Sequence, residues 1–94
     1  MDKDLLRAEI IIGGLVQGVG FRYYIYRNAV SLSLKGFTEN LFSGEVLTVV
    51  EGSRANIEEL YKKIIIGPSH SSVKKHNINW MESKNEFEKF EIRH

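Results

Sequence analysis

The chain has 94 residues, 43% of them hydrophobic, which is enough for one hydrophobic core but not for two. Thirteen basic and twelve acidic residues leave a formal net charge of +1, so the overall charge does not indicate a nucleic acid or an anionic membrane as partner. Cysteine is absent, which excludes disulfides, thiolate nucleophiles and cysteine-bound metals. We therefore expect a single domain over residues 1–94 whose function comes from one local site.

The N-terminal segment 1–4 is mostly charged, and no apolar run approaches the roughly 20 residues of a membrane span. We expect a soluble, cytoplasmic protein that binds neither membrane nor nucleic acid. We also expect it to act as a monomer without an obligatory protein partner.

The first half of the chain carries strand and helix patterns in turn. Between residues 7 and 14, aliphatic residues occupy the alternate positions 8, 10 and 12, and Ile11 between them is aliphatic too. This pattern predicts a strand that is largely buried on both faces. Apolar residues at helical spacing predict a helix over 22–33. Residues 36–40 and 46–50 flank the turn sequence Ser43–Gly44 and predict an antiparallel hairpin.

A second helix is predicted over residues 57–65, where apolar residues recur at spacings of three and four. Either Ser53 or Asn56 can cap its start, and Asn56 with Glu59 resembles a capping box. The pair Gly67–Pro68 is typical of a helix end.

Two further strands are predicted, one around 76–81 and a half-buried one at Phe90 and Ile92. The order strand, helix, strand, strand, helix, strand is the split βαβ arrangement. We therefore predict an α+β fold in which two helices cover one face of an antiparallel sheet.

The segment 16–22 joins the first strand to the first helix, where backbone amides can converge on an anion. Gly18 and Gly20 allow positive φ angles, so that successive N–H groups can form a concave nest at the positive end of the helix. Arg22 is a cation in the first helical turn, which costs about 0.3–1 kcal/mol unless an anion binds there. Its planar fork of donors matches two phosphate oxygens. A purely structural tight turn would use the same glycines, and both interpretations stay open at this point.

The heptapeptide Val16–Arg22 resembles the signature of the acylphosphatase family. Residues 36–40 are similar to that family's stretch of glycine, aromatic, two variable residues and asparagine, and Gly67–Pro68 and the terminal Phe90-x-Ile92 also match in the family's order. The resemblance implies a ferredoxin-like fold and the hydrolysis of small acyl phosphates without metal or cofactor.

The resemblance also implies roles for individual residues. It assigns phosphate binding to Arg22 and water orientation to Asn40, whereas the side chain of Gln17 is expected to shape the loop. The backbone amides implied to cradle the phosphoryl oxygens belong to Val16, Gln17, Gly18, Val19 and Gly20. Glu39 stands where many family members carry a basic residue, and on an alternating strand its side chain should point away from that of Asn40.

We expect structural or surface roles, rather than functional ones, for the histidines and for the tyrosines of the first helix. His70, His76 and His94 do not show the spacing of metal ligands, so we expect no metal site. For the tyrosines of the first helix we expect partly buried rings with hydroxyls in water rather than a surface that stacks on substrate. These tyrosines are Tyr23, Tyr24 and Tyr26.

Two alternative functions remain. One is a related acylphosphatase-like domain that processes carbamoyl phosphate, of the kind found at the start of hydrogenase-maturation carbamoyltransferases. The other is a catalytically silent module that binds an anion or RNA, because Lys35-Gly36-Phe37 with Phe42 resembles part of the RNP1 pattern. Glu39 and Asn40 occupy positions that this pattern gives to Phe and Val, which argues against RNA.

Overall fold

The computed structural model describes residues 5–94, so the charged segment 1–4 lies outside the described part of the chain. Five strands and two helices follow in the predicted order, and the fourth strand is several residues longer than predicted. The elements are β1 (Leu5–Leu15), α1 (Phe21–Ser31), β2 (Lys35–Asn40), β3 (Val46–Ser53), α2 (Arg54–Ile66), β4 (Ser72–Glu82) and β5 (Phe90–Arg93).

The strands form one sheet in the order β4-β1-β3-β2-β5. The strand β1 is antiparallel to both β3 and β4, and β2 is antiparallel to β3, but β5 runs parallel to β2. The prediction of an antiparallel sheet was therefore wrong for its last strand. Because β4 ends at the end of the sheet where β2 begins, the chain that crosses to the opposite edge enters β5 in the direction of β2.

Both helices pack on one face of the sheet, which we call the inner face. Ala8, Ile10 and Ile12 of β1 point into it and are at most 1% exposed. Ile11, which points to the outer face, is only half-buried. The prediction that β1 is largely buried on both faces holds only in part, because Arg7 is buried on the outer face but Ile11 is not, and neither α1 nor α2 covers that face.

The outer face holds a buried ion pair that local sequence patterns did not predict. Arg7 Nη1 lies 3.4 Å from Glu51 Oε2 and 2.5 Å from Glu86 Oε1, and the Lys84 N–H donates to Glu51 Oε2 at 2.7 Å. The Arg7 guanidinium also sits 5.2 Å from the centre of the Phe87 ring. Burial raises the pKa of Glu51, but the hydrogen bonds from Lys84 and Arg7 outweigh it and leave that pKa below its usual value. These contacts hold the segment between β4 and β5 against the outer face of β1 and β3.

The two helices begin differently. Ser53 caps α2, since its side chain accepts a hydrogen bond from the Asn56 N–H at 3.2 Å. The Asn56 side chain donates to the Leu32 carbonyl at 3.0 Å, so the predicted capping box of Asn56 with Glu59 was wrong. At α1 the cap is Gly20, in the left-handed conformation and without a side-chain hydrogen bond. The first N–H groups of α1 are left for another acceptor.

Candidate active site

The loop between β1 and α1 is shaped by two glycines in left-handed conformations, Gly18 with φ 78° and Gly20 with φ 75°. A Cβ atom at either position would meet no described atom within 4 Å, so the backbone conformation rather than crowding requires glycine. The first turn of α1 contains no acidic residue. The loop and the helix start therefore offer N–H donors in a field that favours an anion.

The side chain of Gln17 ties this loop to the turn between β2 and β3. Its Nε2 donates to the carbonyl oxygens of Leu41 and Glu45, both at 2.9 Å. This geometry agrees with the expected loop-shaping role, because the side chain uses both amide hydrogens on backbone acceptors. The loop is thereby held beside the end of β2.

Asn40 is the last residue of β2 and faces the inner side of the sheet. It is paired with Val46, and Thr38, two positions earlier on the same face, is fully buried. Glu39 lies between them and therefore points to the outer face, as expected. The carboxylate of Glu39 is separated from the Asn40 amide by the sheet.

Arg22 is the second residue of α1 and reaches across to the last strand. Its Nη1 donates to the Arg93 carbonyl at 2.7 Å. A guanidinium carries five N–H donors, and within residues 5–94 this is the one hydrogen bond that the Arg22 side chain makes. The other donors are available to a ligand.

These groups meet at one pocket of about 230 Å³. It is smaller than the roughly 300–1,000 Å³ typical of sites for drug-sized ligands, which suits a small anion. No acidic side chain lines it within the described chain. Its lining consists of Val16, Gly18, Gly20, Phe21, Arg22, Tyr23, Asn40, Ile92 and His94.

The pocket is lined by Arg22 and Asn40, the two residues to which the resemblance assigns roles, and by three of the five loop residues. Gln17 and Val19 of the predicted loop do not line it. Four lining residues were not among the site residues expected from the sequence, namely Phe21, Tyr23, Ile92 and His94. Ile92 and His94 come from the far end of the chain, and no local motif links them to the loop.

Within residues 5–94, no three histidine, aspartate or glutamate side chains are grouped so as to hold a metal ion. Over the same residues, neither helix has the length and apolar character needed to cross a bilayer.

Comparison with known sequences gives a consistent result. The acylphosphatase family model matches residues 8–92. An acylphosphatase of Moorella thermoacetica is 39% identical over 83 residues, which cover 88% of this chain and 89% of that protein. An acylphosphatase of Chlorobaculum tepidum is 49% identical over 67 residues, or 71% of this chain and 73% of that protein.

Solved structures show the same fold. Acylphosphatase from Bacillus subtilis matches with a TM-score of 0.91 at 29% identity, covering 95% of this chain and 99% of that one. Full-length HypF in a phosphate- and nucleotide-bound form matches with a TM-score of 0.88 at 34% identity, covering 96% of this chain but 12% of that one. The predicted ferredoxin-like fold is confirmed, with the fifth strand as an addition to its four-stranded sheet.

Proposed function

This chain belongs to the acylphosphatase family, and we propose that its pocket holds the phosphoryl group of an acyl phosphate while a water molecule attacks phosphorus. The protein is an enzyme that hydrolyses the carboxyl–phosphate bond to a carboxylate and inorganic phosphate. The proposed mechanism rests on one observation, which is that Arg22, Asn40 and the glycine loop line the same pocket.

Arg22 and the loop amides are the proposed phosphate-binding groups. Two guanidinium donors of Arg22 bind two phosphoryl oxygens, and backbone N–H groups of residues 16–20 donate hydrogen bonds to the phosphoryl oxygens as well. The hydrogen bond to the Arg93 carbonyl orients the guanidinium before substrate arrives. Phosphoryl transfer depends chiefly on such positioning and charge stabilisation, so these groups supply what the reaction needs without a metal ion.

Asn40 is the proposed water-orienting residue. Its side-chain carbonyl accepts a hydrogen bond from water and aims the oxygen at phosphorus, opposite the leaving carboxylate. The water oxygen bonds to phosphorus, the bond from phosphorus to the acyl oxygen breaks, and both water hydrogens end on the released phosphate. The leaving carboxylate is stabilised by resonance and needs no proton, so a strong general acid is unnecessary.

The test is phosphate release from acetyl phosphate in the presence of EDTA, with wild type compared with Asn40→Ala. We expect wild-type turnover to survive chelation and Asn40→Ala to lower kcat by about 100-fold or more with little change in KM. Asn79→Ala is the matched control, because Asn79 is an exposed asparagine on the outer face of the sheet. Near-normal kcat in Asn40→Ala would exclude the water-orienting role.

Carbamoyl phosphate is the second candidate substrate. It carries the same carboxyl–phosphate group as acetyl phosphate, and the proposed donors of Arg22 and the loop all act on the phosphoryl end. A comparison of kcat/KM for the two substrates decides between them. A large advantage for carbamoyl phosphate would favour the carbamoyl-processing alternative.

We further expect the enzyme to act in the cytoplasm as a monomer on a free small molecule. The pocket volume of about 230 Å³ supports the part of this expectation that concerns a small-molecule substrate. Light scattering after size-exclusion chromatography tests the monomer, which requires a mass close to 10.8 kDa.

A further inference from the structure

The two edges of the sheet differ greatly in length. One edge is β5, with four residues, and the other is β4, with eleven. The strand β4 pairs with β1 along one side only, so that on its other side every second residue turns its backbone N–H and C=O groups to solvent. An exposed edge strand of this length can accept a further strand by main-chain hydrogen bonds.

The side chains of β4 are arranged about Ile78 in a way that suits a second copy of the same strand. Lys74 stands four positions before Ile78, and Glu82 stands four positions after it. In an antiparallel pair centred on Ile78, Lys74 of each copy would lie opposite Glu82 of the other, and His76 would lie opposite Trp80. The remaining opposed pairs are Lys75 with Met81, Asn77 with Asn79, and Ile78 with itself. This register opposes no two like charges and brings two pairs of opposite charges together.

The residues that would meet in this pair are accessible. Lys74 and Glu82 are exposed, and within residues 5–94 neither forms a salt bridge. Lys74 is the extra residue of the irregularity opposite Gly13 and Gly14, and its long side chain can still reach a carboxylate on a neighbouring strand. Ile78 and Trp80 lie on the inner face and are only half-buried. A second strand would cover both.

A shift of the symmetry axis by one residue removes this complementarity. An antiparallel pair centred on Asn77 would place Lys74 opposite Trp80, so that no carboxylate faces either lysine of β4. A pair centred on Asn79 would place Lys74 opposite Lys84, where like charges repel. The pattern of charges therefore favours the register centred on Ile78, and its symmetry specifies a second copy of this chain as the partner.

We propose that two copies of this chain associate through β4, in an antiparallel pair centred on Ile78 that continues the sheet from one copy into the other. No residue of β4 lines the pocket, and each copy keeps a complete pocket, so the monomer remains the active unit. A single strand pair buries less surface than the roughly 1,200–2,000 Å² of a stable interface. We therefore expect a dissociation constant of about 0.1–1 mM and a monomer in dilute solution.

The first experiment is sedimentation velocity of the whole chain over concentrations that bracket this dissociation constant. Lys74→Glu and Glu82→Lys each place like charges opposite each other twice, and we expect each to weaken association by about 2- to 30-fold. An equimolar mixture of the two variants should regain wild-type association, because one partner then carries two carboxylates and the other two ammonium groups. Lys62→Glu is the matched control, since Lys62 is an exposed lysine on α2.

The second experiment tests the register by cross-linking, which is direct because the chain has no cysteine. Ile78→Cys places two thiols opposite each other at the symmetry axis, where directly opposed Cα atoms lie about 4.5–5.5 Å apart, within the range of a disulfide. Lys75→Cys is the control, because in this register its two copies would lie about 20 Å apart. We expect an oxidised dimer of Ile78→Cys and none of Lys75→Cys on non-reducing electrophoresis.

Each outcome either supports the inference or overturns it. If wild type remains a monomer throughout the concentration range, β4 does not pair with itself. If Lys74→Glu associates as strongly as wild type, or the mixture of charge variants associates no better than either alone, the contact lies elsewhere. Cross-linking of Lys75→Cys in place of Ile78→Cys would show a different register. Urea unfolding of each variant confirms that a lost dimer is not a lost fold.

Discussion

Replacing Arg22 by lysine tests whether two guanidinium donors hold the phosphoryl group. A hydrogen bond to a charged group contributes about 1.5–3 kcal/mol, and lysine keeps the positive charge but loses the two-pronged geometry. With Nη1 of Arg22 already bonded to the Arg93 carbonyl, a single ammonium must also divide its donors between this carbonyl and the phosphate. We therefore expect Arg22→Lys to weaken phosphate binding by about 10- to 150-fold, and Arg22→Ala to weaken it further and abolish turnover.

The assay is competitive inhibition of acetyl phosphate hydrolysis by inorganic phosphate, with calorimetric titration of phosphate for variants that do not turn over. Arg54→Lys is the matched control, because the Arg54 guanidinium pairs with Glu58 at 3.1 Å and stacks over Trp80, outside the pocket. The midpoint of urea unfolding is measured for each variant, so that lost binding is not confused with lost folding.

Two results would refute the reasoning about Arg22. An inhibition constant for phosphate within about twofold of wild type in Arg22→Lys would show that charge alone, rather than paired donors, binds the anion. Unchanged phosphate binding in Arg22→Ala would remove Arg22 from the binding site altogether.

Two further predictions concern stability. Gly36→Ala should lower the free energy of unfolding by more than about 3 kcal/mol, because the added Cβ would lie 1.8 Å from the Val49 carbonyl oxygen and the backbone φ is 144°. Gly44→Ala should cost about 1 kcal/mol, because the space around Gly44 is open and only its φ of 99° is unfavourable. Equal losses of stability for the two variants in urea unfolding would contradict the packing argument. The pKa of Glu51 is lower in the folded than in the unfolded protein, so its contribution is present at neutral pH and is lost as the pH falls below about 4.3. Glu51→Gln should therefore reduce stability at pH 7 and flatten the acid side of the stability profile, and an unchanged acid slope would disprove this linkage.

Most of the fold could be predicted because its signals are local. The apolar spacing of α1, the turn at Ser43–Gly44 and the helix end at Gly67 each depend on residues close together in sequence. The loop glycines and Arg22 also lie within one short segment. The meeting of Arg22 with Asn40 was implied by the family resemblance, and the register of β2 with β3 places Asn40 on the face where Arg22 can reach it.

The features that were missed depend on contacts between distant parts of the chain. The parallel pairing of β5 with β2 follows from where the crossing segment enters the sheet, which no periodic pattern records. The partners of Arg7 on the outer face are 44 and 79 residues away. The side chain of Asn56 bonds to a carbonyl 24 residues earlier rather than capping its own helix.

The hydrogen bond from Arg22 to the Arg93 carbonyl also bears on how the enzyme becomes active during synthesis. The two residues are 71 positions apart, which corresponds to about 4–14 s of translation. The glycine loop is synthesised before that interval begins, whereas β5, whose Arg93 carbonyl accepts the hydrogen bond, is synthesised at its end. On the proposed mechanism, a nascent chain therefore gains an oriented Arg22 guanidinium only after β5 has docked beside β2, so that phosphate release would report completion of the whole sheet rather than folding of the segment that carries the signature.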